Sequence, residues 1–357
     1  MNNARLRRDA CLRVLVRVAL GGLLAVLVAE AVVRRFYYLH GGYDNVLGPQ
    51  IAPGMVRYGL EGMGTSYWVG RGLRRPRAPD PSLPSILALG DSFTEALGLD
   101  DDDVFTHRLE RKLHNAGISV QVLNAGHAGA SVADYIALAP RYREWFSPRW
   151  TVIQLRAADL TTEPWQARPS YAGFVRGTAG GLQTQAAVVA QHSPLWFAFL
   201  SVRQKSMLIT LGLIRVHDFL ETARAEPPLF QGAAPNQSTR KSSETNPSAA
   251  WPVAEELTLL ARTYAGRVTI AYLPEFDPEA PSKTDPIERI VDAACDIQRI
   301  SCLNLRRHYP KFAADHVSPF GFPNSAYNFG HMNELGHHAL ADDLEREIAR
   351  LQSDGIF

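Results

Sequence analysis

Cysteine is scarce in this chain of 357 residues, which holds only three. Cys11, Cys295 and Cys302 are too few for a disulfide-stapled scaffold, and their spacing fits no metal-ligand pattern. Charge of one sign is missing too. Lys and Arg total 37 against 36 Asp and Glu, a net charge of +1. No basic surface for nucleic acid is therefore expected. No phosphate-binding glycine loop and no internal repeat appears, so no cofactor and no metal is expected. Length and composition are those of one large globular domain with additions.

Long apolar runs are also rare, and the N-terminal one stands out. Arg5, Arg7, Arg8, Arg13 and Arg17 precede Val18–Ala29, which contains only apolar residues and glycine. Glu30 interrupts, and Ala31–Val33 lead to Arg34 and Arg35. Residues 12–35 form a membrane anchor if Arg13 and Arg17 reach back to the interface. The basic flank keeps residues 1–11 in the cytoplasm and sends the rest across. The expected location is a single-pass inner-membrane protein with its main domain on the extracytoplasmic, periplasmic side. A cleaved signal peptide, with Ala29-Glu30-Ala31 as its site, and a buried core helix are the rival readings. Outside the cytoplasm, Cys295 and Cys302 could pair; two buried free thiols are the alternative.

Residues 36–84, rich in Gly, Pro, Arg and Tyr, read as a juxtamembrane linker with a short strand or two. From residue 85 to 357 the pattern becomes one α/β domain with a mostly parallel sheet. Strands are expected at Ile86–Leu89, Val120–Leu123, Thr151–Leu155, Val268–Leu273 and Cys302–Leu305, each short and apolar as buried strands are. Phe105, Leu109 and Leu113 mark a helix, with Asp100–Asp103 as an acidic cap. Ser131 and Asp134 predict a capping box, and Pro140 should bend or break the helix that follows. An insertion spans about 160–250. In it, residues 192–220 read as apolar helix, packed on the sheet or serving as a lid or membrane-facing surface, and 224–250 as a mobile loop.

The chemistry gathers at strand ends. Leu87-Ala88-Leu89-Gly90-Asp91-Ser92 runs a strand into a loop, placing a hydroxyl where open α/β sheets bind ligands. Asn124-Ala125-Gly126-His127-Ala128-Gly129 makes a glycine turn after the second strand. His331-Met332-Asn333 opens the last helix. A serine and a histidine converging on one sheet edge suit acyl chemistry, because an alcohol nucleophile needs an adjacent imidazole and that imidazole an orienting partner.

This set resembles the SGNH/GDSL hydrolases, especially membrane-anchored bacterial members, over most of the chain. Gly90-Asp91-Ser92-Phe93-Thr94 and His331-x-Asn333-x-x-Gly336-His337 are its most specific parts. The resemblance implies a three-layer α/β/α, flavodoxin-like fold. It implies Ser92 as nucleophile, His331 as base, and an oxyanion hole built from Ser92 and Gly129. Two positions depart from the pattern. Ala158 stands where the third block carries an oxyanion-binding Asn, with Arg156 nearby. Asn328 stands where an Asp usually orients the histidine, so Asn328 is the expected orienting group, with neither residue, or Asp315, as the alternatives. The other histidines, His127, His337 and His338, read as structural or solvent-exposed.

The expected function is ester hydrolysis of an acylated small molecule, lipid or carbohydrate, with an O-acyl group of a cell-envelope polysaccharide or lipid as the leading substrate class. An O-acyltransferase of the same fold is the near alternative. A catalytically degenerate carbohydrate-binding or scaffold module is the distant one.

Overall fold

The computed structural model describes residues 2–39, 41–44, 46–161, 171–176, 181–185, 206–213, 216 and 253–357. The chain divides into two units, Met1–Leu39 with His192–Asn236, and His40–Gln191 with Gln237–Phe357.

In the first unit, helix α1 (Asn2–Phe36) contains a segment, Arg13–Phe36, long and apolar enough to cross a membrane. Residues 207–213 are helical as well. Apart from Ser206 and Val216, the rest of the apolar stretch 192–220, and the expected loop 224–250, lie outside the described residues.

The second unit is built on a sheet of eight strands in the order β12-β11-β8-β6-β7-β5-β4-β3. Five of these are mutually parallel: β6 (Ser85–Leu89), β7 (Gln121–Asn124), β8 (Trp150–Leu155), β11 (Val268–Tyr272) and β12 (Ser301–Asn304). Each lies within two residues of its expected place. In chain order they run 2-1-3-4-5, the flavodoxin-like arrangement, so the crevice at the reversal point opens beyond the end of β6. Period-two alternation divides the core. Leu87 and Leu89 of β6 pack with α4 (Val132–Phe146), α6 (Val253–Thr263) and α7 (Pro286–Gln298). Ile86 and Ala88 pack on the opposite face with α3 (Phe105–Asn115), α8 (Tyr309–Ala314) and α9 (Glu334–Ser353). The result is the expected three-layer α/β/α sandwich.

Local signals explain the edges of several elements. The Ser131 amide donates to Asp134 Oδ2 at 2.8 Å at the start of α4, and that helix runs through Pro140 rather than breaking. Cys295 of α7 and Cys302 of β12 are joined by a disulfide with a Cα–Cα distance of 6.2 Å. Within 160–250, β9 (Gly173–Arg176) and β10 (Leu182–Gln185) form an antiparallel pair.

The segment read as a linker departs most from expectation. β1 (Gly41–Asp44) and β2 (Gly48–Ile51) pair as a hairpin. β3 (Gly54–Tyr58), β4 (Gly64–Val69) and β5 (Leu73–Arg74) extend the main sheet antiparallel from β7. Their burial alternates along β4, and no continuous apolar run announces them. Of the aspartates at 100–103, two bond to this extension, while Asp102 and Asp103 pair with Arg111 and Arg108 of α3. Asp100 Oδ1 accepts the Thr65 amide at 2.7 Å, and Asp101 Oδ2 accepts the Tyr67 amide at 3.0 Å. The residue flanking α3 is Val104, which offers no side-chain cap.

Candidate active site

Strand β6 ends at Leu89, and a Cβ on the following Gly90 would strike the Thr94 side chain. The chain can turn there only because glycine lacks one. Asp91 then caps the single turn α2 (Ser92–Glu95), accepting the Phe93 amide at 2.9 Å. This cap fixes the backbone that carries Ser92 at the carboxyl edge of the sheet.

His331 arrives from the other end of the chain. Asn333 caps α9, its Oδ1 accepting the Leu335 amide at 3.0 Å. Its Nδ2 donates to the carbonyls of Ser318 at 2.8 Å and Gly321 at 3.0 Å. The loop before the helix is thereby braced, and His331 Nε2 lies 2.8 Å from Ser92 Oγ across 239 positions of sequence. The Phe93 ring, 4.9 Å from the imidazole centroid to centroid, flanks this contact.

The partner on the far side of the imidazole is Glu61. Its Oε2 lies 2.5 Å from His331 Nδ1, and its Oε1 accepts the His331 backbone amide at 2.7 Å. A carboxylate only accepts, so the imidazole proton sits on Nδ1 and leaves the Nε2 lone pair facing the Ser92 hydroxyl. Burial would raise the Glu61 carboxyl, but the His331 hydrogen bonds outweigh it and hold the group below its ordinary range. Glu61 is thus an ionised acceptor at neutral pH.

Glu61 sits in the turn between β3 and β4, and glycine places it there. Cβ atoms on Gly62 and Gly64 would collide with the backbone of 97–99, and one on Gly98 with the Glu61 carbonyl. The Gly62 amide donates to Asn324 Oδ1 at 2.7 Å, and Asn324 Nδ2 returns a bond to the Gly62 carbonyl at 2.8 Å. Gly330 has φ +95, and a Cβ there would meet Glu61 Oε1. From below, fully buried Arg74 donates to the carbonyls of Glu95 at 2.8 Å, Leu99 at 2.6 Å and Ala96. It also pairs with Asp101 at 2.8 Å. One arginine therefore holds the loop on which the Glu61 turn rests.

Asn328, expected to orient the histidine, does not reach it. Its backbone turns left-handed, with φ 58. Its Oδ1 accepts from Ser318 Oγ at 2.9 Å, and its Nδ2 donates to the Phe276 carbonyl at 3.1 Å. These bonds brace the loop, and the Nδ1 position it was to fill belongs to Glu61. Asp315 ends α8 as its C-cap and is exposed.

The loop expected to supply an oxyanion donor follows β7. Asn124 Oδ1 accepts the Gly126 amide at 2.9 Å, the His127 amide donates to the Gly90 carbonyl at 2.9 Å, and Gly129 has φ +80. After β8, Arg156 reaches Asp91 Oδ2 at 3.1 Å, and its guanidinium lies 3.8 Å from the Phe93 ring centroid. Ala158, in the following helix α5 (Ala157–Thr161), has no side-chain donor.

Two buried acids lie beside the site. Burial pushes Glu95 up to about 8, against the pull of Arg74. Burial and the neighbouring Asp91 charge raise Asp159 to about 8. His337 is fully buried, its Nδ1 accepting the Phe105 amide at 3.2 Å, and burial holds its pKa well below the ordinary range. His338 lies near Glu334 and Asp103, in the first turns of α9.

No family model and no curated protein matches the chain. Among solved structures, it is similar to that of TesA, at 14% identity over 73% of this chain and 95% of that one, with a TM-score of 0.36. It is also similar to a lipase/acylhydrolase from Enterococcus faecalis, at 12% identity over 74% and 95%, with a TM-score of 0.39. An acetyl xylan esterase, AlAXEase, aligns at 12% identity over 74% and 99%, with a TM-score of 0.40. At such values the chemistry rests on the chain's own geometry.

Proposed function

We propose that this chain is a serine hydrolase of the SGNH type that cleaves an ester. Its nucleophile is Ser92, its base His331, and its orienting acid Glu61. The observation that carries this reading is the unbroken relay from Ser92 Oγ to His331 Nε2, and from His331 Nδ1 to Glu61 Oε2.

The reaction follows from the relay. Ser92 Oγ attacks the ester carbonyl as its proton passes to His331 Nε2. The imidazolium so formed is stabilised by ionised Glu61, which also holds the ring in the productive tautomer. The tetrahedral oxyanion is received by backbone amides, those of Ser92 and Gly129 in this reading. Collapse expels the alcohol, which takes the proton from Nε2 and leaves an acyl-Ser92. Water, deprotonated by the same nitrogen, then attacks the acyl carbon; as the acyl–Oγ bond breaks, Ser92 Oγ takes the proton back from Nε2 and the acid is released. With Ala158 in the third-block position, one side-chain donor is missing. Loss of such a donor has cost another serine hydrolase ~10²–10³ in rate, so modest turnover is expected.

The favoured substrate is an O-acyl group of a cell-envelope polysaccharide or lipid. Support comes from the apolar segment Arg13–Phe36 with its basic upstream flank, read as an uncleaved anchor that places the catalytic unit on the periplasmic side of the inner membrane. The Cys295–Cys302 disulfide fits that oxidising side.

A fluorophosphonate probe tests the enzymatic reading. The wild-type chain should become labelled on the peptide containing Ser92 and release acid from short-chain esters. An unlabelled, inactive wild-type protein would instead point to a binding module. Supplying a sugar alcohol as acceptor separates hydrolysis from acyl transfer, because a transferase forms a new ester at the expense of free acid.

A further inference from the structure

Glu30 is an anomaly within the apolar segment Arg13–Phe36, where an ionised carboxylate is tolerated only if partnered. Its partners are specific. Arg34 Nε lies 2.7 Å from Oε1, one helical turn along α1. The remaining donors come from far along the chain: Ser206 Oγ at 2.9 Å, the Met207 amide at 2.8 Å and the Leu208 amide at 3.1 Å. These amides open the helical stretch 207–213, so Glu30 caps it and complements its dipole.

This attachment fixes where the stretch can be. Glu30 stands six residues before Phe36, about 9 Å inside the end of the helix at 1.5 Å rise per residue. Whatever binds its carboxylate lies at that depth. From Ser206 to Ile214 the sequence contains no charged residue. Met207 and Thr210 are buried, while Ile209, Leu213 and Val216 are 43%, 38% and 55% exposed. Ile209 and Leu213, four residues apart, share one face of that helix. A face that is apolar, exposed and pinned beside a membrane-crossing helix suits acyl chains better than water.

We propose that residues 206–213 form a second membrane-contacting element, docked on Glu30, with Ile209 and Leu213 facing the lipid acyl chains. The proposal rests on the reading of α1 as an uncleaved anchor and adds a second contact to it.

The test uses the full-length chain with Cys11→Ser, labelled with an environment-sensitive fluorophore at Leu213→Cys or, as an aqueous control, at exposed Lys283→Cys. Both are reconstituted in phosphatidylcholine–phosphatidylglycerol vesicles with and without doxyl-labelled lipid. Doxyl lipid should cut emission at position 213 by about twofold or more and leave position 283 unchanged. Adding Glu30→Ala should bring position 213 toward the control value while the protein still resists carbonate extraction. Equal, weak quenching at both positions in carbonate-resistant protein would overturn the proposal. Loss of the protein from the vesicle pellet, or cleavage of α1 found by mass spectrometry, would instead overturn the anchor reading, and the proposal with it.

Discussion

Strands β6, β8 and β11 are buried at every position, whereas β4 of the antiparallel extension alternates buried and partly exposed residues. The first region delivers Ser92 from a strand end packed on both faces. The second delivers Glu61 from a turn held by glycine contacts, Asn324 and the Arg74-braced loop. The two regions meet at one imidazole. A relay of this kind therefore draws on the best-patterned and the least-patterned parts of one sheet. Its precision depends on the second as much as on the first.

The same contrast governs what the sequence makes visible. The five parallel strands are legible because burial on both faces demands uninterrupted apolar runs. Ser92 and His331 are legible because each sits where an element begins or ends. Glu61 is hidden because β3 and β4 are short, begin with glycine, and lie in a stretch rich in Pro and Arg that resembles a linker. The signal available was Gly59-Leu60-Glu61-Gly62-Met63-Gly64, a single carboxylate in a glycine-dense turn. Only the fold reveals that the glycines admit close backbone contact with 97–99. Asn328 misleads for the opposite reason. Its spacing from His331 is right, but its left-handed backbone sends the side chain to Ser318 and Phe276.

Four substitutions sharpen or break this comparison. Ser92→Ala should have the largest effect, lowering kcat for a short-chain ester by ~10⁴–10⁶ and abolishing fluorophosphonate labelling. Retained turnover would remove the parallel core from the chemistry. Glu61→Gln should lower kcat/KM by ~10²–10⁴ with circular dichroism unchanged, since the amide keeps the shape but forfeits the charge and favours the wrong tautomer. An effect under tenfold would reduce the extension to scaffolding.

Glu95 probes the junction between the regions. Its folded-state pKa of about 8 exceeds the ordinary 4.5, so its contribution to stability is complete below the unfolded value and lost as pH rises through 8. The slope between those limits is about 1.4 kcal/mol per pH unit for each such group. Asp159 adds a slope of the same sign. Glu95→Gln should therefore roughly halve the fall in melting temperature between pH 6 and pH 9, and an unchanged slope would show that Glu95 ionises normally. Asn328→Ala should have the smallest effect on activity, within about threefold, while costing about 1–2 kcal/mol of stability from its lost hydrogen bonds. Measured together, its melting temperature and kcat/KM should separate loop bracing from histidine orientation.

The central claim is that Glu61 acts on Ser92 only through His331, and a double-mutant cycle on kcat/KM for an activated ester tests it most directly. In the wild-type background Glu61→Gln should produce its full loss. In a His331→Ala background the same substitution should change the residual rate by no more than about twofold, because groups acting as one unit are not additive. An equal loss in both backgrounds would mean that Glu61 works independently of the imidazole, and the relay from Ser92 to Glu61 would not be the catalytic unit.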